Sequence, residues 1–132
     1  MAPHVYTVSL GFGHSRPNTP QHWVLITYPV GSFTCTYYHT TRSGSGGKGP
    51  YTSSVEGNKR VDSCAFACMR KICYIPEVML GEVIEAASEA KPVLSQRYVL
   101  DVLRRLEDRD VIPGGTVKRF ERSCAMPVIE EE

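Results

Sequence analysis

The sequence predicts an α+β fold in which a small antiparallel sheet packs against two or three helices. Two observations favour this class. Segments rich in β-branched and aromatic residues alternate with turn residues in the first third of the chain, and helical periodicity dominates the second half. A length of 132 residues suits one domain with a real hydrophobic core, so we expect residues 1–132 to form a single domain.

Three strands are predicted in the N-terminal part. Residues 5–10 alternate in part and end at a Gly-Phe-Gly segment, and residues 22–28 and 33–41 are rich in β-branched and aromatic side chains. The Pro-Val-Gly-Ser segment at 29–32 predicts a turn that joins the second and third strands into a hairpin. Residues 43–59 are rich in Gly and Ser with scattered Lys, and predict a mobile surface loop.

Helical patterns follow in the C-terminal half. Residues 61–74 carry three cysteines and fit either a strand or irregular structure. Residues 76–90 fit a helix, with Pro at the beginning and Glu in the first turn. The clearest helix spans residues 95–108, with Val and Leu recurring on one side as a buried stripe. Residues 116–120 predict a last short strand, and residues 128–132 predict a frayed acidic tail.

Composition excludes several classes of partner. A formal net charge of +1 gives no electrostatic case for nucleic acid or for an anionic membrane surface. No apolar run approaches the roughly 20 residues that a membrane span requires. The start of the chain, MAPH, lacks the features of a secretory signal, and an odd number of cysteines, five, fits reduced thiols better than a disulfide framework. We therefore expect a cytoplasmic protein.

The hairpin carries the most specific functional signal. A turn centred between residues 30 and 31 would set His22 opposite His39 on one face, with the two Cβ atoms about 5 Å apart. One imidazole could then take a proton from a nucleophile while the other fixes its tautomer. The pair could also begin a metal site, but no third ligand with convincing spacing follows. Two strand histidines with no shared role are an equally weighted alternative.

The segment that carries these histidines resembles the signature of the lecithin–retinol acyltransferase-like proteins, which are circularly permuted relatives of NlpC-type peptidases. The matching features are His22-Trp23, an apolar strand, a turn and then Tyr38-His39, and they fall within residues 22–40. In that family the histidine strands come first and the nucleophile helix follows. The resemblance therefore implies a permuted papain-like fold.

The second matching segment, residues 94–107, is similar to the nucleophile helix of the family. That helix opens with Asn-Cys-Glu-His-Phe-Val, in which Cys is the nucleophile, and here the stretch reads Leu-Ser-Gln-Arg-Tyr-Val. The resemblance implies a catalytic site of Ser95, His22 and His39, with His22 as the base and His39 as its orienter. Gln96 is a possible donor to the oxyanion, and the other expected substrate-binding residues are Trp23, Tyr37 and His14.

The activity implied by the resemblance is acyl transfer, by hydrolysis, transfer or cyclisation, on a small acyl, peptide or thioester substrate, without a cofactor or metal. The departure is Ser95 in place of Cys, because a hydroxyl gains far less than a thiol from a helix start. Ser95 is a working nucleophile, an engineered Cys→Ser change, or the mark of an inactive binding module of the same fold. Ser is also a preferred N-cap, which would explain Ser95 without chemistry.

The cysteines offer a weaker alternative, a cysteine metal-binding domain built on Cys64, Cys68 and Cys73. Their spacing, Cys-x3-Cys-x4-Cys, does not match the usual zinc pairings, and buried structural thiols are the preferred interpretation. Cys35 is predicted on the same strand face as His39, but about 13 Å along the strand, which is too far for direct proton transfer.

Overall fold

Five antiparallel strands are followed by the helices in the computed structural model of the chain, which describes residues 4–42, 49–62 and 65–122. The strands are β1 (Val5–Gly13), β2 (Trp23–Pro29), β3 (Thr34–Arg42), β4 (Tyr51–Arg60) and β5 (Phe66–Pro76). They form one sheet in the order β4-β3-β2-β1-β5, with every neighbouring pair antiparallel. Both β4 and β5 are therefore edge strands.

The helices lie on one face of this sheet. A 3₁₀ turn at Glu77–Met79 leads into α1 (Leu80–Glu89), which is followed by α2 (Ser95–Asp108) and α3 (Thr116–Glu121). The predicted class, an antiparallel sheet packed against two or three helices, is confirmed. Within the described ranges, no helix has the length and apolar character that crossing a membrane requires.

The helix-covered face holds the larger hydrophobic core. Alternate side chains of β1, β2 and β3 point toward the helices, and the stripe predicted for α2 is fully buried against them. The residues with no exposed surface include Val8, Leu10, Trp23, Leu25, Val99, Val102, Leu103, Leu106 and Phe120. This core fixes α2 against the sheet and so fixes the position of its first residue, Ser95.

The opposite face holds a smaller apolar cluster. Its buried members are Val24, Ile26, Cys35 and Tyr37. Phe66 and other partly buried side chains pack on them. Because side chains alternate along a strand, His39 shares this face with Cys35 and Tyr37.

The hairpin register differs from the predicted one. Ile26 pairs with Tyr37, and the position that this register sets across from His39 is that of Val24, two residues beyond His22. The Ser32 N–H donates to the Pro29 carbonyl at 2.9 Å, and Gly31 has φ +85°, which together are typical of a type II turn centred, as predicted, between residues 30 and 31. However, β3 begins only at Thr34, so the loop has two more residues on the β3 side and the pairing shifts by two residues. The pairing of His22 with His39 was therefore wrong, although both faces were assigned correctly.

The prediction of a mobile loop over residues 43–59 was wrong for residues 51–59, which belong to β4. This strand lies at the sheet edge, and most of its side chains are exposed or half-buried. An edge strand with polar side chains on both faces shows no alternation of apolar residues, so composition alone suggests a loop. Residues 43–48 lie outside the described ranges.

Two further segments are now assigned. Residues 116–120, predicted as a short strand, form most of α3, because Val117 and Phe120 meet the core at helical spacing. The Val117 N–H also donates to Glu107 Oε1 on α2 at 3.0 Å, which satisfies a free helix-start donor.

The cysteine-rich segment, for which the sequence fitted either a strand or irregular structure, contains β5. The predicted frayed tail, residues 128–132, lies outside the described residues.

Candidate active site

An open cleft of about 890 Å³ lies at one end of the sheet. Its walls come from the end of β1, the residues before β2, the end of β3, the first residues of β4 and β5, and the start of α2. His22, His39 and Ser95 all line it. Residues far apart in the sequence meet there because antiparallel strands bring alternate strand ends to the same edge.

The two imidazoles lie close together in spite of the shifted register. Their ring centroids are 5.9 Å apart, with the planes inclined by 70°. The backbone carbonyl of His22 accepts a hydrogen bond from the Gly13 N–H at 2.8 Å, which holds the residue just before β2 against the end of β1. His22 is exposed at the cleft, but its partial burial and, secondarily, the nearby His39 lower its pKa. His22 is therefore neutral, as a base must be, at neutral pH.

His39 is only 8 % exposed, and neither ring nitrogen has a hydrogen-bond partner among the described residues. Its Nε2 lies 3.4 Å from Glu56 Oε2, so a protonated His39 would form an ion pair there. Burying an imidazole without hydrogen bonds is costly, and such a group calls for an explanation other than packing.

Glu56 on β4 is held in place from two sides. Lys59 Nζ lies 3.1 Å from its Oε1, and the Ser54 hydroxyl donates to its Oε2 at 3.2 Å. The hydrogen bond from Lys59 is the main cause of the lowered pKa of Glu56; burial opposes it, and the charges of His39 and Lys59 lower the pKa by smaller amounts. The carboxylate is therefore charged beside His39. Glu56 was not predicted as a site residue, because the composition around it suggested a loop.

Ser95 is the first residue of α2 and is only 4 % exposed. The Trp23 N–H donates to its Oγ at 3.0 Å, which ties the helix start to the start of β2. Leu94, and not Ser95, occupies the N-cap position, and no side chain caps the helix. The N-cap interpretation of Ser95 was therefore wrong. Upstream, the Thr40 hydroxyl donates to the Val93 carbonyl at 2.8 Å and fixes the segment that precedes α2.

Two of the predicted substrate-binding residues lie outside the cleft lining. Gln96 is buried, and its Nε2 donates to the Gln21 carbonyl at 3.0 Å, which connects α2 to the loop before β2. The Trp23 ring is buried in the helix-side core, edge-on to Phe12 at 5.3 Å. By contrast, Tyr37 and His14 both line the cleft.

Two arginines that our sequence analysis did not single out also line the cleft. Arg16 lies on the loop before β2, and Arg42 is the last residue of β3. The Arg42 guanidinium lies over the Tyr51 ring at 4.9 Å from its centroid, and its Nε donates to the Gly49 carbonyl at 3.0 Å. The described lining contains no Asp or Glu.

The three cysteines that the structure describes do not line the cleft. Cys35 is buried in the small apolar cluster, and burial raises the pKa of its thiol. Cys73 is half-buried, but Cys68 is exposed, so the prediction of a buried structural thiol was wrong at Cys68. Among the described residues, no three His, Cys, Asp or Glu side chains are grouped as metal ligands, and Cys64 lies outside those residues.

No family model matches the chain, and neither the curated proteins nor the solved structures include a significant match. The class of protein is therefore defined by the molecule itself. It is an α+β protein with an open cleft at one end of its antiparallel sheet, lined by histidine, arginine and a buried serine at the start of a helix.

Proposed function

We propose that the chain is an acyl-transfer enzyme with a permuted papain-like arrangement, resembling the lecithin–retinol acyltransferase-like and NlpC-type proteins. The observation that carries this proposal is that His22, His39 and Ser95, singled out from three separate parts of the sequence, line one cleft. The substrate is a small acyl, peptide or thioester compound whose carbonyl group enters this cleft.

Ser95 is the nucleophile in this proposal. Because its Oγ accepts the Trp23 N–H, its own hydrogen remains to be donated toward the cleft. His22 accepts that proton as the oxygen attacks the carbonyl carbon of the substrate, and the lowered pKa keeps the imidazole ready to accept it. The carbonyl π electrons move onto oxygen and form a tetrahedral oxyanion.

The start of α2 stabilises the negative charge that develops on that oxygen. The first N–H groups of a helix have no partner within it, and the helix dipole favours an anion there. When the intermediate collapses, the leaving group departs with the proton held by His22, and the acyl group remains on Ser95. Water, an amine or an alcohol then gives its proton to His22 and attacks the ester carbonyl. As the bond from the acyl carbon to Ser95 Oγ breaks, His22 returns that proton to Oγ and the free hydroxyl is restored.

Glu56 acts through His39 and is a positioning residue. Its carboxylate places a negative charge 3.4 Å from His39 Nε2. The electrostatic consequence reaches His22, because the two rings are 5.9 Å apart. We expect Glu56→Gln to change the pH dependence of turnover more than its maximum rate, while Lys59→Met, which frees Glu56 without removing it, has the smaller effect.

Labelling with a fluorophosphonate tests whether Ser95 is a working nucleophile. In the reaction Ser95 Oγ bonds to phosphorus, fluoride leaves, and His22 takes the hydroxyl proton. We expect intact-mass analysis to show one adduct and peptide mapping to place it at Ser95. His22→Ala should prevent labelling, and Ser9→Ala, a change at another buried serine, should not.

The result that contradicts the proposal is a folded protein that shows no adduct, or an adduct that His22→Ala leaves unchanged. Circular dichroism and melting curves of each variant show whether the fold is intact.

A catalytically inactive binding module of the same fold is the second candidate. The observation in its favour is that Ser95 is 4 % exposed and its Oγ already accepts a hydrogen bond from the Trp23 N–H, as that of a purely structural serine would. This candidate predicts that Ser95→Ala lowers stability but leaves ligand affinity unchanged, and that a bound ligand is recovered without chemical change.

A further inference from the structure

The cleft combines features that favour negative charge. Two guanidinium groups, those of Arg16 and Arg42, line it, and the described lining contains no carboxylate. The 14-residue helix α2 begins at its wall, so the positive end of a long helix dipole also faces it. The net charge of the whole chain is only +1, so this local excess of cations is a property of the site and not of the protein as a whole.

Arg42 is held in an orientation suited to binding. Its Nε donates a hydrogen bond to the Gly49 carbonyl, and its guanidinium carbon lies over the Tyr51 ring. Both contacts limit its side-chain freedom, and they leave the two terminal nitrogens as a planar pair of donors. A planar fork of this kind matches the two oxygens of a carboxylate or a phosphate.

Carboxylates do not occupy the two cleft arginines. Arg60, Arg104, Arg105 and Arg109 each have a carboxylate partner within 4 Å. Among the residues described, Arg16 and Arg42 have no such pair, and neither has Arg70 on the exposed side of β5, so it is their place in the cleft that distinguishes the first two. Glu56 lies beside the cleft lining at His39, and it already has Lys59 as a partner.

A second observation points to a ligand in the same place. His39 is buried, lines the cleft and has no hydrogen-bond partner in the described part of the chain. An unpaired buried imidazole is costly unless something that enters the cleft completes its hydrogen bonding. An acyl compound with a second polar group can hydrogen-bond to this ring and to an arginine at the same time.

We propose that the cleft selects a substrate or ligand that carries an anionic group, a carboxylate or a phosphate, which the terminal nitrogens of Arg42 bind while Arg16 adds attraction from the facing wall. This inference concerns the same cleft as the acyl-transfer site and names its substrate class. Binding would leave the reactive carbonyl of the ligand toward Ser95 and the histidines.

Titration of the 15N-labelled protein, monitored by NMR, tests this selectivity with three probes: glutarate, inorganic phosphate and glutaramide, the neutral amide analogue of glutarate. At millimolar concentrations and low salt we expect the anions to shift amide signals of the cleft, including those of Thr41 and Ser95. Glutaramide should shift them far less. Arg42→Gln should weaken anion binding by about tenfold, as expected when a charge-assisted pair of hydrogen bonds is lost.

Arg70→Gln is the matched control, because Arg70 is an exposed arginine of β5 outside the cleft lining and its loss changes the net charge equally. It should leave the affinity within about twofold of the unchanged protein. Arg42→Lys, which keeps the charge but not the fork, should give an intermediate affinity. The tighter of the two anions identifies the group as a carboxylate or a phosphate.

Three outcomes overturn the inference: glutaramide binds as tightly as glutarate, Arg70→Gln weakens binding as much as Arg42→Gln, or no probe shifts the cleft signals. None of them depends on catalysis, because the titration can be repeated with Ser95→Ala. Anion binding without fluorophosphonate labelling would contradict the proposed enzyme and support this inference, and labelling without anion selectivity would do the reverse.

Discussion

The two faces of the sheet are built for different purposes. On the helix side, twenty buried hydrophobic residues of the described ranges form one continuous core, and the Tyr98 and Tyr38 hydroxyls have partners in Ala87 and Thr27. On the other side, four buried residues of the same ranges form a cluster, and beside it lies His39, buried without a hydrogen-bond partner among them. Stability therefore comes mainly from the first face, and the second face retains a polar group that packing alone does not require.

Truncation of the helix-side core should have the largest effect. Leu103 has no exposed surface, so Leu103→Ala should lower the free energy of unfolding by about 2–5 kcal/mol through lost burial and a cavity. His39→Leu, at a similarly buried site on the other face, should change it by less than about 1 kcal/mol, since it removes an unpaired polar group. Urea unfolding measures both. Equal losses would show that the two faces do not differ.

Alkaline pH should lower the stability of the fold through Tyr98, on the helix side of the sheet. Burial raises the pKa of Tyr98 to about 12, above the value of about 10 that tyrosine has in an unfolded chain. The unfolded chain therefore loses the phenol proton first, so stability is complete below pH 10 and is lost as the pH rises toward 12. The loss should reach about 2–3 kcal/mol. Tyr98→Phe should remove this dependence in urea unfolding at successive pH values, and an unchanged alkaline loss would refute the assignment.

The hydrogen bond between Thr40 on β3 and the segment before α2 should have a smaller effect on stability. Thr40→Val removes the hydrogen bond to the Val93 carbonyl and should cost about 1 kcal/mol of unfolding free energy. Since this bond holds the segment before Ser95, we expect the fractional loss of activity or of fluorophosphonate labelling to exceed the fractional loss of unfolding free energy. Thr52→Val, at an exposed position of β4 outside the cleft lining, is the control. A fall in stability without loss of labelling would show that the segment does not position Ser95.

The smallest effect is expected in the titration of His22. Its folded pKa is lowered, so its contribution to stability is complete above the unfolded value of about 6.5 and is lost as the pH falls through the folded pKa. Because the charge of His39 is one of the two causes, His39→Ala should raise the pKa of His22. NMR of the ring protons measures this directly. An unchanged pKa in that variant would mean that the two rings are not coupled.

Local sequence patterns were sufficient to predict α2, but they did not determine how the strands pair. The bounds Ser95–Asp108 followed from the periodicity of the helix, which depends on neighbours within two turns. The hairpin register depended on where pairing resumes after the turn at Gly31, and the sequence did not show that β3 begins only at Thr34. The two histidines still met, because a register shift of two residues keeps every side chain on its original face.

Glu56 could not be found from the sequence for a different reason. It lies beside His39 because β4 pairs with β3 at the sheet edge. The register of that pairing shifts between Cys35 and Tyr37. Neither the strand nor its irregularity leaves an apolar pattern. The signal that was available is the group of Tyr, Thr and Val residues in the first half of YTSSVEGNKR, which fits a solvated edge strand once a partner strand is assumed.

The central claim is that Ser95 and the two imidazoles form one assembled site, and the Ser95→Cys variant tests it most directly. The exposed Cys68 serves as an internal reference thiol. After brief treatment with iodoacetamide, peptide mapping should show faster alkylation at position 95 than at Cys68, and adding His22→Ala should abolish that difference. A thiol at position 95 that reacts more slowly than Cys68, or that reacts equally with and without His22, would contradict the account.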